Sequence, residues 1–166
     1  MRKAGAAILL AAVLGWTTTV FGQAGISSRS GHVSLGGDVG LTIDPELFAG
    51  QAAVDYYLTD SVAVGPLFQA GTGREGIFWG LSGQVKYSAA LANTDTIRPY
   101  GTLGIGFVNF YFNDINDRKM KTSFLVPVGG GFEFEVADDL TLDTNILFNA
   151  AEDIFVGIYF GGRVLF

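Results

Sequence analysis

Cysteine is absent from the 166 residues, which removes disulfides, thiolate metal ligands and cysteine nucleophiles together. Histidine occurs once, at His32, so catalysis by a histidine beside a serine or an acid depends on that position alone. Ser34 follows two residues on, but no acid is placed to orient the ring, so His32 reads as an incidental polar residue and no catalytic residue is expected. Charge is sparse at 16% of residues, with 16 acids against 10 bases and a formal net charge of −6. That balance argues against a nucleic-acid partner and provides no broad basic face for lipid headgroups. Beyond the first twenty or so residues, no stretch is continuously apolar over the ~20 residues that a transmembrane helix needs. Yet 49% of the chain is hydrophobic, and those side chains must be accommodated somewhere.

Part of the answer lies at the start. Arg2 and Lys3 precede an apolar run from Ala4 to Trp16, followed by small and hydroxyl residues toward Gly22. A basic opening, a short apolar core and small residues at the expected cut describe a secretory signal peptide over 1–22. No cysteine follows that run, so a lipid-anchored form is not expected. Removal of Arg2 and Lys3 takes the net charge from −6 to −8. Residues 23–31 are small and polar and are expected to form a short, loose N-terminal tail, with one domain from 32 to 166 and no second domain after Phe166.

The rest of the apolar content alternates. At the C-terminus Val156, Ile158, Phe160 and Val164 fall on one parity, while Tyr159 and Arg163 fall on the other. The same two-residue period recurs in eight segments: 32–43, 48–58, 61–70, 77–88, 97–112, 123–136, 140–149 and 154–166. Turn-forming clusters separate them, such as Asp44-Pro45-Glu46 and Thr72-Gly73-Arg74-Glu75. The register of each segment, set by its large apolar residues, puts Val39, Leu41, Trp79, Leu81, Ile105, Phe107, Phe132, Phe134 and Ile146 on an outer face. Asp38, Asp55, Lys86, Arg98, Glu133, Glu135, Asp143 and Arg163 then all land on the opposite, inner parity. A closed sheet with an apolar outside is one of two structures that satisfy every backbone group in hydrocarbon. With both termini periplasmic, Phe48, Phe68, Trp79, Tyr111, Phe124 and Phe148 ring one rim, and Tyr56, Tyr87, Phe134 and Phe166 ring the other.

This pattern, the segment Arg98-Pro99-Tyr100-Gly101-Thr102-Leu103-Gly104-Ile105-Gly106-Phe107 and the terminal Phe166 together resemble the small outer-membrane barrels of the OmpA/OmpX type. The resemblance spans essentially all of the chain after the leader. It implies an all-β, eight-stranded antiparallel up-and-down barrel, and a role for Phe166 as the signal read by the barrel-assembly machinery. It also implies outer-membrane lipid and lipopolysaccharide as surroundings, a monomer, and no cofactor.

An eight-stranded barrel is only wide enough for side chains to fill its interior. Asp55, Lys86, Arg98, Tyr100, Glu133, Glu135, Asp143 and Arg163 are therefore expected to form a polar plug of paired charges. Acids exceed bases there, so any leak through rearranged pairs would favour cations. Leu67, Phe78, Val108, Phe110, Leu147 and Phe155, with Gln51, Gln69 and Leu125, line the other half as a packed core or as an apolar pocket open to the outside. Pro127 lies mid-strand, where a missing N–H commonly marks a bulge, and a bulge would turn Ser123–Val126 over and carry Leu125 outward.

Among the connectors, 113–121 is the longest. Its Arg118, Lys119 and Lys121 are candidates to meet lipopolysaccharide phosphates. Asp114, Asn116 and Asp117 lack the glycine and distal glutamate of a calcium loop, so no metal site is expected. Gly129-Gly130-Gly131 precedes a strand half and implies no phosphate loop. The functional expectation is a small structural outer-membrane protein with a largely blocked lumen. The alternatives are a narrow cation-favouring pore or apolar-solute conduit, a surface ligand-binding or adhesion protein, and a secreted lipocalin-like carrier.

Overall fold

The alternation predicts strands, and among the described residues the regular elements are strands. In a computed structural model, which describes residues 28–74, 76–91, 96–112 and 120–166, eight strands run in chain order. They are β1 (Val33–Ile43), β2 (Leu47–Tyr57), β3 (Val62–Thr72), β4 (Gly76–Ser88), β5 (Ile97–Phe112), β6 (Met120–Glu135), β7 (Leu140–Ala150) and β8 (Ile154–Leu165). The expected boundaries agree within a residue or two, except that β6 begins three residues early. Each strand pairs antiparallel with its neighbours, and β8 pairs with β1 to close the ring. The expected leader over 1–22 and most of the 113–121 connector lie outside the described residues.

Closure leaves no unpaired sheet edge, which is the condition for burying a sheet in hydrocarbon. The ends of the chain meet at the seam. Phe166 N donates to Val33 O at 2.8 Å, and Nδ1 of His32 donates to the Phe166 carbonyl at 2.8 Å. This end of the barrel, which carries both termini, is called here the terminal end. The opposite one is the loop end.

Parity holds around the whole ring. Leu35, Val39, Leu41, Phe48, Val85, Leu103, Ile105, Phe124, Phe148 and Ile158 all lie exposed on the outer surface. Asp38, Asp55, Lys86, Glu133, Glu135, Asp143 and Arg163 are buried inside, and Arg98 also turns inward to an acid. A surface of exposed aliphatic and aromatic side chains around buried charge is the reverse of a water-soluble domain. Exposed Phe48, Phe124 and Phe148 stand toward the loop end, and Tyr56, Tyr87 and Phe166 toward the terminal end, as two interfacial girdles would.

Pro127 does not produce a bulge. Pairing of β5 with β6 is interrupted between Leu103↔Val128 and Gly106↔Leu125, skipping two residues on each strand, so no residue is inserted and parity survives. Leu125 consequently stays inside, 1% exposed. On its other side Pro127 keeps its place opposite Asn149 of β7. Gly104 makes this tolerable, because a Cβ there would lie 2.8 Å from the proline Cγ.

This geometry predicts a depth-dependent penalty for charge on the outer face. Val39→Arg, mid-strand and exposed, should cost ~2–4 kcal/mol in folding into lipid vesicles, against ~0–1 kcal/mol for Leu58→Arg at the rim. Urea titration of both variants measures this, and equal costs would contradict the parity.

Candidate functional site: a lumen closed in two layers

Toward the terminal end, inward side chains from β2, β4, β5, β6, β7 and β8 converge because each is placed by the strand period at a similar height. Arg98 stands opposite Glu133 in the β5–β6 ladder, and Glu133 opposite Asp143 in the β6–β7 ladder. Arg163 bridges two strands, its Nη1 2.6 Å from Asp55 Oδ2 and its Nε 2.9 Å from Asp143 Oδ2. Lys86 is ion-paired with Glu133, lies 3.9 Å from Asp55, and sits 4.4 Å above the Tyr100 ring. Arg98 Nε is 2.8 Å from Glu135 Oε1. Neutral groups complete the set: the Tyr100 hydroxyl donates to Asp143 at 3.1 Å, and Gln84 Nε2 donates to Asp55 at 3.1 Å. One strand-step deeper, Asp38 accepts from Gln51 Nε2 at 2.5 Å.

The cluster contains a member that pattern reading missed. Ser28–Gly31 does not hang loose; it crosses the terminal mouth and sends Arg29 into the lumen, 3% exposed. The two terminal nitrogens of Arg29 lie 2.7 Å from Glu133 Oε2 and 2.7 Å from Glu135 Oε1. Arg29 balances the layer, with Asp55, Glu133, Glu135 and Asp143 facing Arg29, Lys86, Arg98 and Arg163. Arg29 therefore narrows the expected excess of acids, since with Asp38 counted five inward acids face four cations. The signal that was available is arithmetic. In the terminal layer four inward acids faced three inward cations, with Asp38 a fifth inward acid deeper in the bore, and one further arginine stood just upstream of the first strand.

Nearer the loop end the interior changes character. Phe78, Phe110 and Phe155 form a ring triad, with centroids 5.8 Å apart for Phe78–Phe110, 5.2 Å for Phe78–Phe155 and 5.6 Å for Phe110–Phe155. Leu67, Val108, Leu125 and Leu147 pack with it, and Gln69 is buried at the same level. Phe78 faces Gly71 across the β3–β4 ladder, and its ring fills the place of a glycine side chain, since a Cβ would fall 2.3 Å from Phe78 Cε1. These apolar side chains are buried against one another as a cluster. Beyond the triad, a dimple of about 160 Å³ has Phe110 and Phe155 for its floor and Asp44, Lys121, Glu152 and Asp153 around it. Between the layers, beside Gln51, Lys86 and Arg163, a void measures about 10 Å³, roughly what a single water requires.

The remaining candidates separate. Lys121 pairs with Glu152 at 2.8 Å on the surface, whereas Arg118 and Lys119 lie outside the described residues. His32 binds the Phe166 carbonyl, and Ser34 points into the barrel, buried. Phe166 is exposed at the terminal rim.

A ring of eight strands with an apolar exterior, interfacial aromatics and a charged, filled interior defines the class of transmembrane β-barrels. More specifically, the model of the outer membrane protein beta-barrel domain matches residues 6–158, and the chain belongs to that family, a family of the outer membrane. Solved structures agree in fold. The N-terminal β-barrel domain of Pseudomonas aeruginosa OprF superposes with a TM-score of 0.69 at 15% identity, covering 84% of this chain and 100% of that one. Neisserial surface protein A gives 0.63 at 11% identity, over 80% and 95%. Ail, the attachment invasion locus protein of Yersinia pestis, gives 0.59 at 18%, over 82% and 99%. No curated protein sequence matches the chain.

Removing one cation from the network should be far more damaging than its count of bonds suggests, because buried partners are left uncompensated. Arg163→Met strands Asp55 and Asp143 and should destabilise the barrel by ~3–5 kcal/mol. Replacing Asp55 and Asp143 by leucine in the same variant should recover much of that loss. Urea unfolding followed by the mobility shift between folded and unfolded barrel on unheated gels reads both.

Proposed function

We propose that this protein is a structural component of the outer membrane, a barrel that stabilises the envelope and neither conducts nor catalyses. The observation that carries this reading is the double closure of the lumen. A balanced ion network fills the terminal half, and an aromatic triad whose central ring, Phe78, is wholly buried fills the other. A pore requires a continuous polar path, and an acyl or solute conduit requires an open apolar pocket. Neither is favoured where both halves are packed. His32, the one histidine of the sequence, is engaged with the backbone oxygen of Phe166, which supports a non-enzymatic role.

In this reading the chain is exported by cleavage of a leader over residues 1–22, and Phe166 serves as the signal for the barrel-assembly machinery. The barrel then works as a monomer with both termini periplasmic. Its partners are lipid and lipopolysaccharide around the aromatic girdles, with Lys121 and the neighbouring Arg118 and Lys119 toward the headgroup phosphates.

Single-channel recording of the refolded barrel in planar bilayers tests the proposal, alongside detergent sensitivity of cells lacking it. The expected results are no current steps from the native barrel and a detergent-sensitive envelope in its absence. Steady steps from the native barrel would replace the structural role with that of a pore.

A further inference from the structure

At the terminal mouth, Glu133 and Glu135 stand two residues apart on the inner face of β6, both essentially buried. Same-face neighbours along a strand are separated by roughly 7 Å at the backbone, and the planar fork of a guanidinium presents two donors, each able to reach a different carboxylate. The two oxygens that face the mouth each sit 2.7 Å from a different terminal nitrogen of Arg29. The Tyr57 ring presents its face at 5.5 Å from the guanidinium carbon, and its hydroxyl is 3.5 Å from Nη1. Two buried acids and an aromatic face make a built guanidinium site. From the other side Lys86 pairs with Glu133, and Arg98 shares Oε1 of Glu135 with Arg29, while Glu135 Oε2 has no hydrogen-bond partner among the described residues.

What brings Arg29 there is held differently. The strap from Ser28 to His32 has no large apolar side chain to bury and is tied by hydrogen bonds. The exposed Asp60 carboxylate accepts from Ser28 Oγ at 2.8 Å, Arg29 N at 2.7 Å and Ser30 N at 3.1 Å. Those three donors hold its pKa below the usual carboxylate range. Gly31 N adds a bond to Tyr57 O at 2.9 Å. A surface clasp of this kind, facing water, contributes far less than the buried site it closes.

We infer that Glu133, Glu135 and Tyr57 form a guanidinium-binding site at the terminal mouth, that Arg29 on the Ser28–His32 strap is its resident occupant, and that with the strap withdrawn the site takes a soluble alkylguanidinium such as free arginine. The strap is then a latch, and the barrel has two states at that end, self-occupied and open to a guanidinium solute. The inference rests on the mouth alone and is independent of the envelope role.

Chemical rescue tests it. Full-length Arg29→Ala barrel, refolded in lipid vesicles, should unfold at lower temperature than the native protein. Methylguanidinium at low concentration should recover most of that loss in a saturable manner. Methylammonium at equal ionic strength should not, and Glu135→Gln added to Arg29→Ala should abolish the recovery. Absence of rescue, or equal rescue by methylammonium and by sodium chloride, would overturn the site. If Arg29→Ala does not fold, Asp60→Ala keeps Arg29 and loosens the clasp. Methylguanidinium should then shift the Arg29 side-chain nitrogen resonances to their solvent-exposed positions, and resonances that do not move would overturn the latch.

Discussion

Everything inside this protein follows from the pairing of β1 with β8. Hydrocarbon provides no hydrogen bonds, so the sheet must close, and closing after eight strands fixes a bore that only side chains can fill. Inward residues then lose water whatever their chemistry, and each must find a partner within a few ångströms. The polar half resolves this by charge pairing and the apolar half by ring packing. Neither half would be compelled to do so in a wider barrel.

The charged layer is an expensive way to fill a lumen. Ion pairs out of water recover little more than their desolvation, and well-packed apolar residues of similar volume often do as well or better. What the charges add is a penalty against the wrong arrangement. A one-residue slip of any strand exchanges its faces, which would carry Lys86, Glu133 or Arg163 into the hydrocarbon and leave its partners unpaired inside. The network thereby ties the register of β2, β4, β5, β6, β7 and β8 to one another across the bore, where backbone pairing alone ties only neighbours. Arg29 extends that logic to a residue outside the sheet, since without it Glu133 and Glu135 share two cations instead of three.

Much of this was legible in the sequence because a two-residue period leaves a face and a parity at every position. Asp55, Lys86 and Arg163 could be placed inside from alternation alone, and Phe78, Phe110 and Phe155 above them from strand direction. Two features were not legible in that way. Whether Pro127 inserts a residue depends on what lies across the ladder, and Gly104 sits in β5, over twenty residues upstream. Arg29 belongs to no period at all. Its position depends on a hydrogen-bonding clasp to Asp60 and on a local charge deficit, both of which exist only once the ring has closed. The family followed from the outer face and its girdles, whereas the role depends on whether the bore is open, which is a matter of packing.

The central claim is that the terminal half of the lumen is a closed, balanced ion network in the membrane itself. Solid-state NMR of the barrel in lipid bilayers, reading through-space transfer from side-chain nitrogens to carboxyl carbons, addresses it most directly. The account predicts contacts from Arg29 to Glu133 and Glu135 and from Arg163 to Asp55 and Asp143, with these nitrogens shielded from bulk water. Arginine side chains that show no carboxyl contact and exchange freely with water would contradict it.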